Sequence, residues 1–169
     1  MSVAEHEVYM KEGIIDVLMY IFSSYIDSED SLPENRESID ADLRDAGFKS
    51  DEIDKAFDWL DDLALAADTP SIEQSRHAIR IYTPKEQARM DKRIRGFLMF
   101  LEHSGVLTAN LRELVINRIM ALDSEMPIDM DEFKWVVMMV LFNHAEDQDE
   151  NTLTHYEDIV FADHPAVFH

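Results

Sequence analysis

Asp129-Met130-Asp131-Glu132-Phe133-Lys134-Trp135-Val136-Val137-Met138-Met139-Val140-Leu141-Phe142 decides the fold. It opens with an aspartate at a capping position and a glutamate three residues on. Such a pair closes a helix N-terminus by exchanging side-chain and backbone hydrogen bonds. From Phe133 to Phe142 the only charge is Lys134. A helix that is apolar almost all round must be covered on most sides, which puts it in the middle of a helical bundle. The run is also about half the ~20 apolar residues that a membrane span requires. Trp135, inside it, is expected in the core.

Working outward, Thr83-Pro84-Lys85-Glu86 is the sharpest local signal. Threonine sits at the N-cap, proline at the first helical position and glutamate at the third. The helix that follows is expected to run to about Ser104, with Gly105 closing it. Thr108 starts another, carrying Leu111, Leu114, Val115, Ile119 and Leu122, and Pro127 separates it from the deciding stretch. A last helix near 152–162 carries Leu153, Tyr156, Ile159 and Val160.

Toward the N-terminus, Ile14, Val17, Leu18, Ile21, Phe22 and Tyr25 recur at steps of three and four, predicting a helix over 13–27. Ser28–Pro33 ends it. A second helix is expected near 35–46, and Gly47 suits the left-handed position just past its end. Ser50 caps a third, with Ile53, Ala56, Phe57, Leu60 and Leu63 as its core face. Within the linker 66–83, Ala78-Ile79-Arg80-Ile81-Tyr82 alternates and reads as an extended tether. The expected fold is therefore all-α: an N-terminal extension (1–12), a three-helix subdomain (13–65), the extended basic segment, a bundle of about four helices (84–162) and a tail (163–169).

Composition excludes several classes. Among 169 residues there is no cysteine, so disulfides, thiolate metal sites and cysteine nucleophiles are ruled out. Only 4 Gly and 5 Pro leave little material for a loop-rich β fold. The acidic start has no basic region of a signal peptide, and a cytoplasmic location without membrane insertion is expected. Net charge is −21, unevenly spread. Residues 1–70 hold 5 Lys/Arg and 19 Asp/Glu, residues 71–122 hold 9 and 5, and residues 123–169 hold 1 and 12. A basic middle thus lies between acidic ends whose field repels nucleic acid. Adaptation to a saline host would give the same acid excess.

Several stretches resemble, in order, those of the Smg family of small bacterial proteins. They are Ile15–Tyr20, Asp42–Phe48, Arg80–Pro84, Arg95–Leu98, Ala121–Asp123, and Lys134–Val136 with Leu141–Asn143. The resemblance covers residues 13–143 and implies a helical fold and a cytoplasmic setting; it carries over no catalytic residues. Residues 35–65 also look like three-helix modules of the ubiquitin-associated type, which bind proteins. Against that stands the simpler reading of Gly47-Phe48 as a helix-to-helix turn with an apolar plug.

No catalytic constellation is found, no glycine loop that would cradle phosphate, and no histidine spacing that would bind zinc. No catalytic, cofactor or metal residues are therefore assigned, and no cofactor is expected. Asp147–Asn151 resembles the start of a calcium loop, but Thr152 stands where glycine belongs and Asp158 where glutamate does. What remains is binding surface. Arg76, Arg80, Lys85, Arg89, Lys92, Arg93 and Arg95 crowd one stretch, and on a continuous helix Lys85, Arg89 and Lys92 form an outward stripe. The expected function is a non-enzymatic adaptor that grips a protein through Phe48 and Trp59 or through Arg80, Tyr82, Lys85, Arg89, Lys92 and Arg93. The alternative is a regulator that contacts nucleic-acid backbone through Arg76–Arg95.

Overall fold

A computed structural model describes residues 13–25, 36–66, 79–122, 124, 126–144 and 150–162. The described residues form eight α-helices and no strand: α1 (Ile14–Tyr25), α2 (Arg36–Asp45), α3 (Ser50–Ala66), α4 (Pro84–Arg89), α5 (Lys92–His103), α6 (Ala109–Met120), α7 (Met130–Asn143) and α8 (Glu150–Phe161). The all-α fold holds. Ser28–Pro33, residues 1–12, Arg76 with most of the linker, Asp147–Asp149 and the tail lie outside the described residues.

Contacts divide the chain into two compact units. One is Met1–Asp62 with Leu122–Ser124, and the other is Leu63–Ala121 with Glu125–His169. In the first, α1 buries Ile14, Val17, Leu18 and Ile21, the expected stripe. Glu52 in the first turn of α3 accepts from the Gly13 N–H at 3.3 Å, fixing the start of α1. Arg36 lies 4.2 Å over the Phe57 ring, with 3.5 Å to Asp61, so α2 meets α3 through a cation and an aromatic face. The turn between them is the expected one. Gly47 adopts φ 100, its N–H donates to Arg44 O, and the Phe48 N–H donates to Leu43 O. That Schellman geometry brings Phe48 against Leu43, and both are buried.

In the second unit, α6 and α7 form the most extensive helix pair, α8 lies on α7, α4 on α6, and α5 on both α6 and α7. The end of α5 repeats the Schellman geometry: Gly105 has φ 81, and Val106 N–H donates to Leu101 O, both side chains buried. The capping boxes form as read, Thr83 with Glu86 and Asp129 with Glu132, and Thr108 accepts from Leu111 N–H.

Two expectations change. The helix read as one piece from Pro84 to Ser104 is broken. Met90 is extended (φ −123, ψ 108), and Asp91 caps a new helix by accepting from Ile94 N–H at 3.0 Å. Trp135 is half-buried rather than in the core. Its ring meets Phe161 of α8 edge-on at 5.6 Å, while Phe133 and Val136–Leu141 are buried around it. Trp135→Ala is accordingly expected to cost about 2 kcal/mol, below the ~3–5 of a fully buried ring. A urea titration giving a loss above about 4 kcal/mol would return Trp135 to the core.

Candidate functional site

Residues 79–83 lead into α4 as a strap with a period of two. Ile79 is 87% exposed and Ile81 82%, while Arg80 and Tyr82 between them are half-buried. Successive side chains on opposite sides are the mark of extended backbone. The inward residues are anchored. Arg80 is bidentate to Glu86, at 2.9 and 3.0 Å, and reaches both carboxylate oxygens of Glu113 on α6 at 3.0 and 3.1 Å. Glu113 also takes Arg112 at 2.9 Å, and Arg112 pairs with Glu102 on α5 at 2.8 Å.

The network fixes protonation states. Glu86 and then Glu113 hold the Arg80 guanidinium above its ordinary value, and Arg80 in turn holds the Glu86 carboxyl below the usual range. Burial lowers Arg112, but its bonds to Glu102 and Glu113 outweigh that. Tyr82 lies beneath two cations, Arg80 at 5.0 Å and Arg95 at 5.7 Å from its ring, and burial raises its phenol. Gln87 adds a 3.0 Å bond to the Tyr82 carbonyl.

Arg89 corrects the outward stripe. It is 6% exposed, turned inward, with its guanidinium donating to the carbonyls of Met126 and, at 3.4 Å, Ile119. Its own carbonyl accepts from Ile128 N–H at 2.9 Å, and its Nε–H is buried with no hydrogen-bond partner. Burial lowers its affinity for the proton, with Glu132 offsetting. The break at Met90–Asp91 puts Lys92 on a different helix, whereas Arg89 shares α4 with Lys85 and is drawn inward by the carbonyls its guanidinium meets. Lys85, Lys92 and Arg93 remain exposed. Phe48 (7% exposed) and Trp59 (3%) are interior, and neither ring offers a docking surface. The strap's two isoleucines were missed as site residues, although the alternation that reveals them is visible in Ala78–Tyr82.

Glu132 sits near Arg89. Burial, then Asp129, pushes its carboxyl above the ordinary range, and Arg89 pulls it back. A carboxyl raised in the folded state gives stability present below its unfolded value and lost as pH rises through its folded one. Glu132→Gln keeps an acceptor for the Asp129 N–H (3.3 Å in the native pair). Its urea midpoint relative to the native chain is therefore expected to climb between about pH 4 and pH 7. A relative midpoint that falls over that window would mean attraction to Arg89 outweighs burial.

Among the described residues no group of three or more His, Asp or Glu could hold a metal ion, and no helix is long and apolar enough to cross a membrane. His144 ends α7 as its C-cap, and His155 is exposed on α8, its ring 6.4 Å from Tyr156.

No solved structure matches this chain. Curated relatives named Protein Smg homolog do. That of Thioalkalivibrio sulfidiphilus is 48% identical over 95% of this chain and 100% of the relative. That of Stenotrophomonas maltophilia is 45% identical over 95% and 100%, and that of Halorhodospira halophila 43% over 83% and 88%. Residues 14–169 match the family described as a protein of unknown function, DUF494. With near-complete coverage of both partners, the chain belongs to the Smg family.

Proposed function

We propose that this chain is a cytoplasmic, non-enzymatic adaptor that docks a protein partner on the outward side of the strap and the helix starts beside it. The supporting observation is the pair Ile79 and Ile81, more than four-fifths exposed on a segment whose intervening residues are tied into the bundle. Two adjacent aliphatic side chains held in water contribute nothing to folding; burying them against a partner recovers that surface. Lys85, Lys92 and Arg93 border the strap in sequence and favour acidic partners over the protein's own acidic ends.

Nucleic acid fits less well. Arg80 spends its donors on two glutamates, and Arg89 is inside, so fewer cations remain for phosphates than the sequence suggests. Aliphatic side chains also give bases no ring to stack on. The test is affinity capture from native lysate with the intact chain and with Ile79→Asp/Ile81→Asp, each with and without nuclease. A protein retained by the native chain, resistant to nuclease and lost with the double variant, is expected. Partners lost on nuclease treatment would move the nucleic-acid reading to first place, and partners indifferent to the double variant would remove the strap from the function.

A further inference from the structure

Taking the strap as the docking surface, as proposed above, we infer that what docks there is an extended, acidic segment of the partner, added alongside Ile79–Tyr82 as a short intermolecular strand. The backbone points to this mode. The N–H groups of residues 79–82 and the carbonyls of Ile79 and Arg80 have no hydrogen-bond partner among the described residues. An extended segment with a row of unpaired backbone groups is a template for another strand, because main-chain bonds give affinity while alternate side chains give register. Among the described residues, two of the four carbonyls of residues 79–82 are taken, Ile81 O by its neighbour Arg80 and Tyr82 O by Gln87.

The strap also arrives ordered. Arg80 is pinned to two carboxylates and the Tyr82 ring meets two guanidinium groups, so the ordering entropy that a flexible peptide loses on binding is already spent. On the outward face, a partner strand sets its own aliphatic residues beside Ile79 and Ile81, since neighbours on one face of a strand pair lie in contact.

Charge selects the occupant. Lys85 and Lys92 stand exposed at the starts of the two helices that follow the strap, in a chain of net −21. An acidic segment is attracted here and repelled elsewhere. A basic segment would instead be drawn to the acidic ends. A second copy would bring Lys85 toward Lys85 and −21 toward −21, so self-pairing is disfavoured.

Fluorescence anisotropy with the full chain tests this, using the labelled peptide Glu-Val-Glu-Val-Glu-Val, its Lys-Val counterpart, and a Glu-Val peptide N-methylated at alternate residues. The Glu-Val peptide is expected to bind saturably. Binding should fall at least about tenfold with Ile79→Asp/Ile81→Asp and with N-methylation, and several-fold with Lys85→Glu. Exposed positions make misfolding of these variants unexpected, and circular dichroism checks it. Equal binding of the Lys-Val peptide, indifference to N-methylation, or no saturable binding overturns the acidic-strand inference. So does a dimer in sedimentation that the double variant dissolves, because the occupant is then a second copy. If the peptides fail while the lysate partner is still lost with Ile79→Asp/Ile81→Asp, only the strand mode falls and the adaptor reading stands. If that partner is also indifferent, both fall.

Discussion

Phe133→Ala is expected to lower the unfolding free energy of the second unit by about 3–5 kcal/mol. Phe133 is fully buried, and its ring meets Phe97 edge-on at 6.0 Å; Phe97 in turn stacks on Phe100 at 5.8 Å. Those three rings join α5 to α7. Truncation removes a large apolar ring and leaves a space beside Phe97 that the interior only partly closes. Lys134 adds to the site from above, its Nζ 5.4 Å from the Phe97 ring.

The measurement needs a reporter confined to this unit. The chain has two tryptophans, Trp59 in the first unit and Trp135 in the second. In a Trp59→Phe background, urea unfolding followed by Trp135 fluorescence reads the second unit. The Phe133→Ala midpoint should drop with little change in slope. In the double cycle with Phe97→Ala, the losses should fall short of additive, because the rings share one contact. A loss under about 1 kcal/mol would mean the interior between α5 and α7 refills around the missing ring.

The helices were legible because their signals are local. A capping box needs only residues three apart, and Thr83–Glu86 and Asp129–Glu132 form as read. Gly47 and Gly105 end their helices with positive φ for the same local reason. The break after Arg89 was also written locally, in Asp91 three residues before Ile94, but the apolar period hid it. Met90, Ile94, Phe97, Leu98 and Leu101 keep helical spacing across the interruption and are all buried. Periodicity records which residues face the core and does not register a change of axis between them.

The candidate site was less legible, because its decisive contacts are long-range. Arg80 meets Glu113 across 33 residues, and Arg89 reaches Met126 across 37. Nothing near either arginine in sequence distinguishes it from Lys85 or Lys92, which stay outside. Counting cations therefore overstated the basic surface. Two of the residues assigned to it, Arg80 and Arg89, serve the fold, and the outward apolar pair beside them became evident only once Arg80 and Tyr82 were seen to face in.

Arg89→Ala is expected to cost about 3 kcal/mol, a penalty no surface arginine would carry. Burying the guanidinium is unfavourable by itself, and its lowered proton affinity records that. It is retained by what it satisfies. The Ile119 carbonyl lies in the last turn of α6, where the helix dipole favours a cation. The Met126 carbonyl belongs to the connector that leads to α7. With the Arg89 backbone holding Ile128 N–H, one residue fixes that connector at both ends, and Asp129 then caps α7 one residue on. Alanine removes both side-chain hydrogen bonds to those carbonyls, and leaves a void along the stem and Glu132 without its nearby opposite charge. Arg89→Met should recover part of the loss by refilling the stem's volume, so that the methionine variant lies between alanine and the native chain. Hydrogen exchange separates this account from general loosening. The Ile128 amide should lose protection in Arg89→Ala well beyond the change at Val136 or Val137 in mid-α7, because the connector opens before the core does. Equal acceleration at all three amides would make Arg89 a packing residue whose hydrogen bonds contribute nothing specific.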